Sequence, residues 1–302
     1  MKTYVKVFLI IGLCLFVSGL VIGGIGFSMG ARGIAFDSDF KMFFMDKDND
    51  YIKKTAQTGE FSSIEADIDL GDIRILTSDK FEAEYIYSSY SGEPEIYVED
   101  SVLKIKWRNS RKISFGMNFQ SPKITVYLPG DTELNDVNIN NNLGAVTVDG
   151  LKNIKNIAVS ASLGGVNLLN LKSESLTADV ASGNLKADGL ESEDLYLTCN
   201  LGSLKAENLI TEGNTKITNR MGNTEIGGEL KGRINVDADL GSVKITTNLH
   251  QLDYNSKIDV DLGTFKLNGE KKHNQWSSTV RDSDYELNVH VKSGNLDIEY
   301  KD

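Results

Sequence analysis

Apolar and polar residues alternate along most of the chain, and glycines punctuate the alternation at regular intervals. Gly144, Gly164, Gly183, Gly202, Gly222, Gly241 and Gly263 follow one another at steps of 19–22 residues. Counted from each glycine, positions −7, −5, −3 and −1 are mostly apolar or small, as are +2, +4 and usually +7 or +8. Around Gly202 these are Leu195, Leu197, Cys199, Leu201, Leu204, Ala206 and Leu209. A period of two predicts strands with one buried face. The phase slips by one at the glycine, which predicts a bend or bulge that glycine tolerates. A second turn is expected at Asp188-Gly189, Glu207-Asn208 or Gly227-Gly228.

A two-strand unit of this length cannot bury its apolar row alone. Stacking the next unit on it aligns like residues and makes the row continuous. The pattern therefore predicts an all-β, single-stranded β-solenoid with rungs of 19–20 residues and two strands per rung. Seven rungs at about 4.8 Å give a rod on the order of 30 Å. Weaker copies, "DIDLGDIRI" around Gly71 and "HVKSGNLDI" around Gly294, are expected as end caps. The frame is not that of leucine-rich repeats, and the calcium-binding nonapeptide is absent. Residues 81–90, 95–107 and 122–130 read as strands in antiparallel hairpins, and 109–121 as a loop. The expected divisions are an N-terminal β cap over 55–135 and the solenoid with its C-terminal cap over 136–302.

The first 32 residues read differently. No charge occurs from Val7 to Ala31, a stretch longer than the roughly 20 residues that cross a bilayer. This predicts a single transmembrane helix within 1–32. Lys2 and Lys6 put the N-terminus in the cytoplasm and the C-terminal domain outside the cell membrane. A cleaved signal peptide is the rival reading. Residues 33–54 form the juxtamembrane linker. Phe36, Phe40 and Phe43 fall on one face of a linker helix, and 46–50 reads as a solvated acidic segment rather than a calcium loop.

The charge of −11 argues against nucleic acid as a partner. It also repels an anionic wall polymer unless a cation or a basic patch intervenes. Cys14 lies in the expected span and Cys199 in a buried strand position, so no internal disulfide is expected outside the span. The three histidines belong to no catalytic motif. Asp237 and Asp239, with Asp259 and Asp261 one glycine unit later, would form a square of carboxylates if their rungs were neighbours. Calcium accepts such an all-oxygen set; the alternative is four solvated aspartates balanced by nearby lysines. No other cofactor is expected. Two loops offer binding residues: His273 and Trp276 in one, Phe115 and Phe119 in the other. Trp276 reads equally as a lid on the open solenoid end.

"FSSIEADIDLGDIRI", "KITVYLPG" and the run of x-L-G-x-Φ-x-Φ units resemble the bacterial putative-adhesin family of β-strand repeat proteins of unknown function. The resemblance spans roughly residues 55–300. It implies a β-solenoid protein of the cell envelope, some relatives being linked to envelope stress systems, and it carries no catalytic residue. The expected function is a non-enzymatic binding or structural role, adhesin-like, toward an envelope polymer or a membrane protein. The alternatives are a polysaccharide-acting β-helix enzyme and an accessory sensor of a membrane signalling system.

Overall fold

The computed structural model describes residues 3–28, 33–36, 42–45, 51–88, 92–108, 113–116, 122–281 and 283–301. The chain divides into two compact units. One contains residues 1–52, 87–93 and 109–121, and the other contains 53–86, 94–108 and 122–302.

In the first unit, Thr3–Ser28 is an α-helix. The expected single-pass anchor is corrected here, and with it the cytoplasmic N-terminus and the extracellular domain. Among the described residues no helix is long and apolar enough to cross a membrane. The linker helix is corrected too: Gly33–Phe36 and Met42–Met45 are strands. They form a three-stranded antiparallel sheet with Ile113–Gly116, inside the segment read as a loop. Phe40 and the acidic segment 46–50 lie outside the described residues.

The second unit carries the repeat. From Gly144 onward each rung has a longer strand ending just before the glycine and a shorter one beginning just after it, as in Glu191–Leu201 and Leu204–Thr211. Like strands of successive rungs pair in parallel and in register, Leu197 beside Ala178 on one side and Ile217 on the other. All strands of this unit belong to one 25-stranded sheet. The predicted inward rows at −7, −5, −3, +2 and +4 are buried, for example Leu195, Leu197, Cys199, Leu204 and Ala206. Two −3 positions are asparagines whose Nδ2 groups find acceptors inside the stack, while both Oδ1 atoms are buried with no hydrogen-bond partner among the described residues. Asn141 Nδ2 donates to Gly71 O at 2.9 Å. Asn219 Nδ2 donates to Gly202 O at 3.3 Å and to Thr224 Oγ1 at 3.0 Å.

Position −1 departs from expectation. Leu201 is half exposed, like its counterparts in other rungs, because the phase slips between −3 and −1, before the glycine rather than at it. The glycines take φ of 135–155°. An added Cβ at Gly202 would lie far inside contact distance of the Gly183 carbonyl oxygen, and the same holds up the column. At the next position an asparagine caps the neighbouring rung: Asn184 Oδ1 accepts from Ser203 N at 3.0 Å, and Asn223 Oδ1 from Ser242 N at 3.1 Å. The second turn falls where expected, with positive φ at Gly189, Asn208 and Gly228.

The ends of the stack do not follow chain order. Ser63–Ile68, which leads into Gly71, pairs with Val102–Trp107 on one side and Leu134–Leu143 on the other. At the far end, Tyr285–Ser293 is inserted between Arg233–Leu240 and Tyr254–Leu262. The companion strand Leu296–Tyr300 is likewise held between Val243–Thr247 and Phe265–Leu267. The copies around Gly71 and Gly294 are thus interior rungs, not caps. Of the expected hairpins, Glu95–Glu99 with Val102–Trp107 is antiparallel. Lys123–Pro129 runs antiparallel to the strand Glu82–Ser88 but parallel to Asp72–Ser78.

Candidate functional site

The inserted rung decides what becomes of the four aspartates. His290 stands in register with Asp237 on one side and Asp259 on the other. Lys292 lies level with Asp239 and Asp261, two residues further along. The expected square does not form: the aspartate rows are two rungs apart, about 10 Å, with a cationic or ionisable side chain between them. Lys292 Nζ lies 2.6 Å from Asp239 Oδ1. The hydrogen bond to that carboxylate, with its charge, raises the ammonium pKa above the ordinary lysine value. His290 Nε2 lies 3.4 Å from Asp261 Oδ2. The remaining compact set is Asp259, Asp261 and His290, each offering a ligand atom within 4.8 Å of the others. All three are solvent-accessible. Two carboxylates and an imidazole are a poor match for calcium, which prefers oxygen throughout. Replacing chelator by millimolar calcium is expected to move the melting temperature by less than about 1 °C, under about 0.5 kcal/mol. A rise of several degrees that Asp259→Asn abolishes would restore a calcium site at this face.

The two loop candidates separate. Gln275–Ser278 pairs antiparallel with the outermost long strand, Trp276 opposite Ile258. The Trp276 ring sits 6.1 Å from that of Phe265, whose side chain is fully buried. Trp276 therefore acts as the lid of the stack, while His273 stays exposed in the link between Glu270–Lys272 and Gln275–Ser278. Phe115 lies in Ile113–Gly116, opposite Ile34; Phe119 lies outside the described residues.

A site that the sequence reading passed over lies at the third corner, where each short strand hands on to the next rung. A groove of about 780 Å³ crosses five rungs there. Three columns line it. The inner one runs Leu134, Ile154, Ser173 and Ser192, paired rung to rung and continued behind the groove wall by the buried Thr211. Its hydroxyls are internally satisfied: Ser173 and Ser192 lie 3.3 Å apart, Ser192 donates to Asp194 O at 2.8 Å, and Thr211 to Lys231 O at 3.2 Å. Lysines cluster on the second and third rungs, Lys152, Lys155 and Lys172, between Glu133 on the first rung and Glu191, Glu193 and Glu212 beyond, with Glu174 beside Lys172. Lys172 and Glu191 form an ion pair across the middle. The signal was available in the repeat frame, since Lys155, Glu174, Glu193 and Glu212 recur at 19-residue steps.

Three solved structures similar to this chain are a "putative adhesin" of Bacteroides fragilis, another of Parabacteroides merdae and a "putative lipid binding protein" of Parabacteroides distasonis. The first is 16% identical, covers 82% of this chain and 97% of its own, with a TM-score of 0.44. The second is 14% identical, covers 83% and 97%, with a TM-score of 0.42. The third is 15% identical, covers 85% and 99%, with a TM-score of 0.32. No curated protein matches the sequence. The β-strand repeat resemblance read from the glycine frame is borne out over residues 61–299, and the chain belongs to the Toastrack DUF4097 family.

Proposed function

We propose that this protein is a non-enzymatic, adhesin-like binding protein that holds an extended polar polymer of the cell envelope in the third-corner groove. The observation that carries this reading is the groove itself: five rungs stack in register along it at a backbone repeat of about 4.8 Å, with side chains that change from rung to rung. A fixed repeat suits a ligand that also repeats, and the rung spacing is close to the length of one hexose unit. The groove holds both signs of charge, with Lys152, Lys155 and Lys172 flanked by Glu133 on one side and Glu193 and Glu212 on the other. That distribution favours a neutral, hydroxyl- and amide-bearing glycan over a polyanion, which the overall charge of −11 repels.

The test is co-sedimentation of the full chain with purified cell walls and with an insoluble neutral polysaccharide, in calcium and in chelator. Pelleting in both conditions is expected. The Lys152→Glu, Lys155→Glu pair should weaken it about tenfold, roughly 1.4 kcal/mol. A chain that stays in the supernatant throughout, or a double variant that pellets unchanged, would remove the groove from consideration.

A further inference from the structure

The −1 side chains that the phase slip turns outward form an unbroken file along the glycine corner. Leu143, Leu163, Leu201, Met221, Leu240 and Leu262 are each 47–71% exposed. Ser182 and Ser293 fill the two remaining places between Leu143 and Leu262, and the half-buried Leu70 continues the file beyond Leu143. Register places its members side by side in the order Leu143, Leu163, Ser182, Leu201 and then Met221, Leu240, Ser293, Leu262. Read outward from Met221, the two directions are the same: leucine, serine, leucine. One way gives Leu201, Ser182 and Leu163; the other gives Leu240, Ser293 and Leu262. Chain order does not produce this symmetry, because it places Leu262 before Ser293. Insertion of the last rung between the two before it creates the palindrome.

We infer that this ridge is the contact surface for a second copy of the chain, packed antiparallel with the twofold axis at Met221. A twofold contact makes each pairing reciprocal, and the palindrome means that an antiparallel copy sets leucine on leucine and serine on serine over seven rungs. Each copy then sets Leu201 against Leu240, Ser182 against Ser293 and Leu163 against Leu262. Seven rungs span about 29 Å. With its flanking columns the strip covers on the order of 500 Å² per copy, the low end of specific interfaces. The dimer is accordingly weak and concentration-dependent, with exposed apolar surface in the monomer.

Sedimentation velocity of the full chain over a wide concentration range tests this. A monomer–dimer equilibrium is expected. Met221→Glu, which sets the introduced carboxylate of each copy against its mate across the axis, should raise the dimer Kd about 30-fold or more, the loss of one hot spot. Leu143→Glu should leave it unchanged, because Leu143 has no counterpart at the other end. Cross-linking fixes the register. In a Cys14→Ser background, with Cys199 buried, Met221→Cys should form a disulfide-linked dimer and Leu143→Cys should not. A chain that stays monomeric at every concentration overturns the inference. So does a dimer indifferent to Met221→Glu, or cross-linking through Leu143→Cys, which would mean a parallel pair.

Discussion

Gly202→Ala is expected to destabilise the repeat unit by about 3–5 kcal/mol, a loss on the order of 10 °C in melting temperature. Two costs act together. Gly202 has φ 146°, a region that an L side chain enters only with strain. Its missing Cβ also marks where the Gly183 carbonyl oxygen sits, and that oxygen belongs to backbone held on both sides by parallel pairing, so it cannot swing away. Relief would require two rungs to separate locally, breaking bonds such as Gly183 N to Leu201 O at 2.9 Å. Gly269 provides the control. It has φ 78° with nothing within 4 Å of an added Cβ, so Gly269→Ala should cost only about 1 kcal/mol. Calorimetry of the two variants beside the parent separates strain from collision. Equal melting temperatures would show that the glycine column is not close-packed.

The same column explains why so much of the fold could be read from sequence. A stacked glycine is a local demand repeated in every rung, so it leaves a fixed spacing, and alternation around it assigns the buried rows. Asn208 and Gly189 at the second turn were legible for the same reason. Which rung lies next to which was not legible. Gly241 is followed in sequence by Gly263 but stacks on Gly294, and both choices satisfy the same frame. The interval of 31 residues from Gly263 to Gly294 was the only trace of the detour. The four-aspartate expectation failed on that point alone. Leu201 misled differently: strict alternation assigns a leucine at −1 to the core, and only the backbone shows that the slip precedes it. The third-corner groove was hidden because its lysines and glutamates resemble ordinary solvated turn residues until they are placed in columns.

Deleting residues 284–302 is expected to do more damage than removing a terminal rung normally does. In a sequential solenoid the last rung shares one interface, and its loss leaves the others in place. Here the C-terminal rung has neighbours on both sides. Its removal takes Leu287, Val289, Val291, Leu296, Ile298 and Tyr300 from the core. At roughly 1.5–3 kcal/mol each, this is on the order of 10 kcal/mol before the released chain entropy is counted. It also separates Tyr254–Leu262 from the rest of the stack. Tyr254 illustrates the dependence. Burial pushes its hydroxyl pKa well up, its oxygen donates to Leu230 O at 2.6 Å, and its ring packs beside Tyr285 and Tyr300 at 5.9 and 5.6 Å. Without those two rings the hydroxyl loses its dry setting. Direct docking of Tyr254–Leu262 onto Arg233–Leu240 would then set Asp237 against Asp259 and Asp239 against Asp261, with neither His290 nor Lys292 between them. Limited proteolysis of the truncated chain should therefore trim residues 250–281 rapidly and spare the rungs before 240, with mass spectrometry giving the boundary. Continued protection of 254–267 would show that the outer rung moves down one place, and that hydrophobic stacking outweighs the opposed carboxylates.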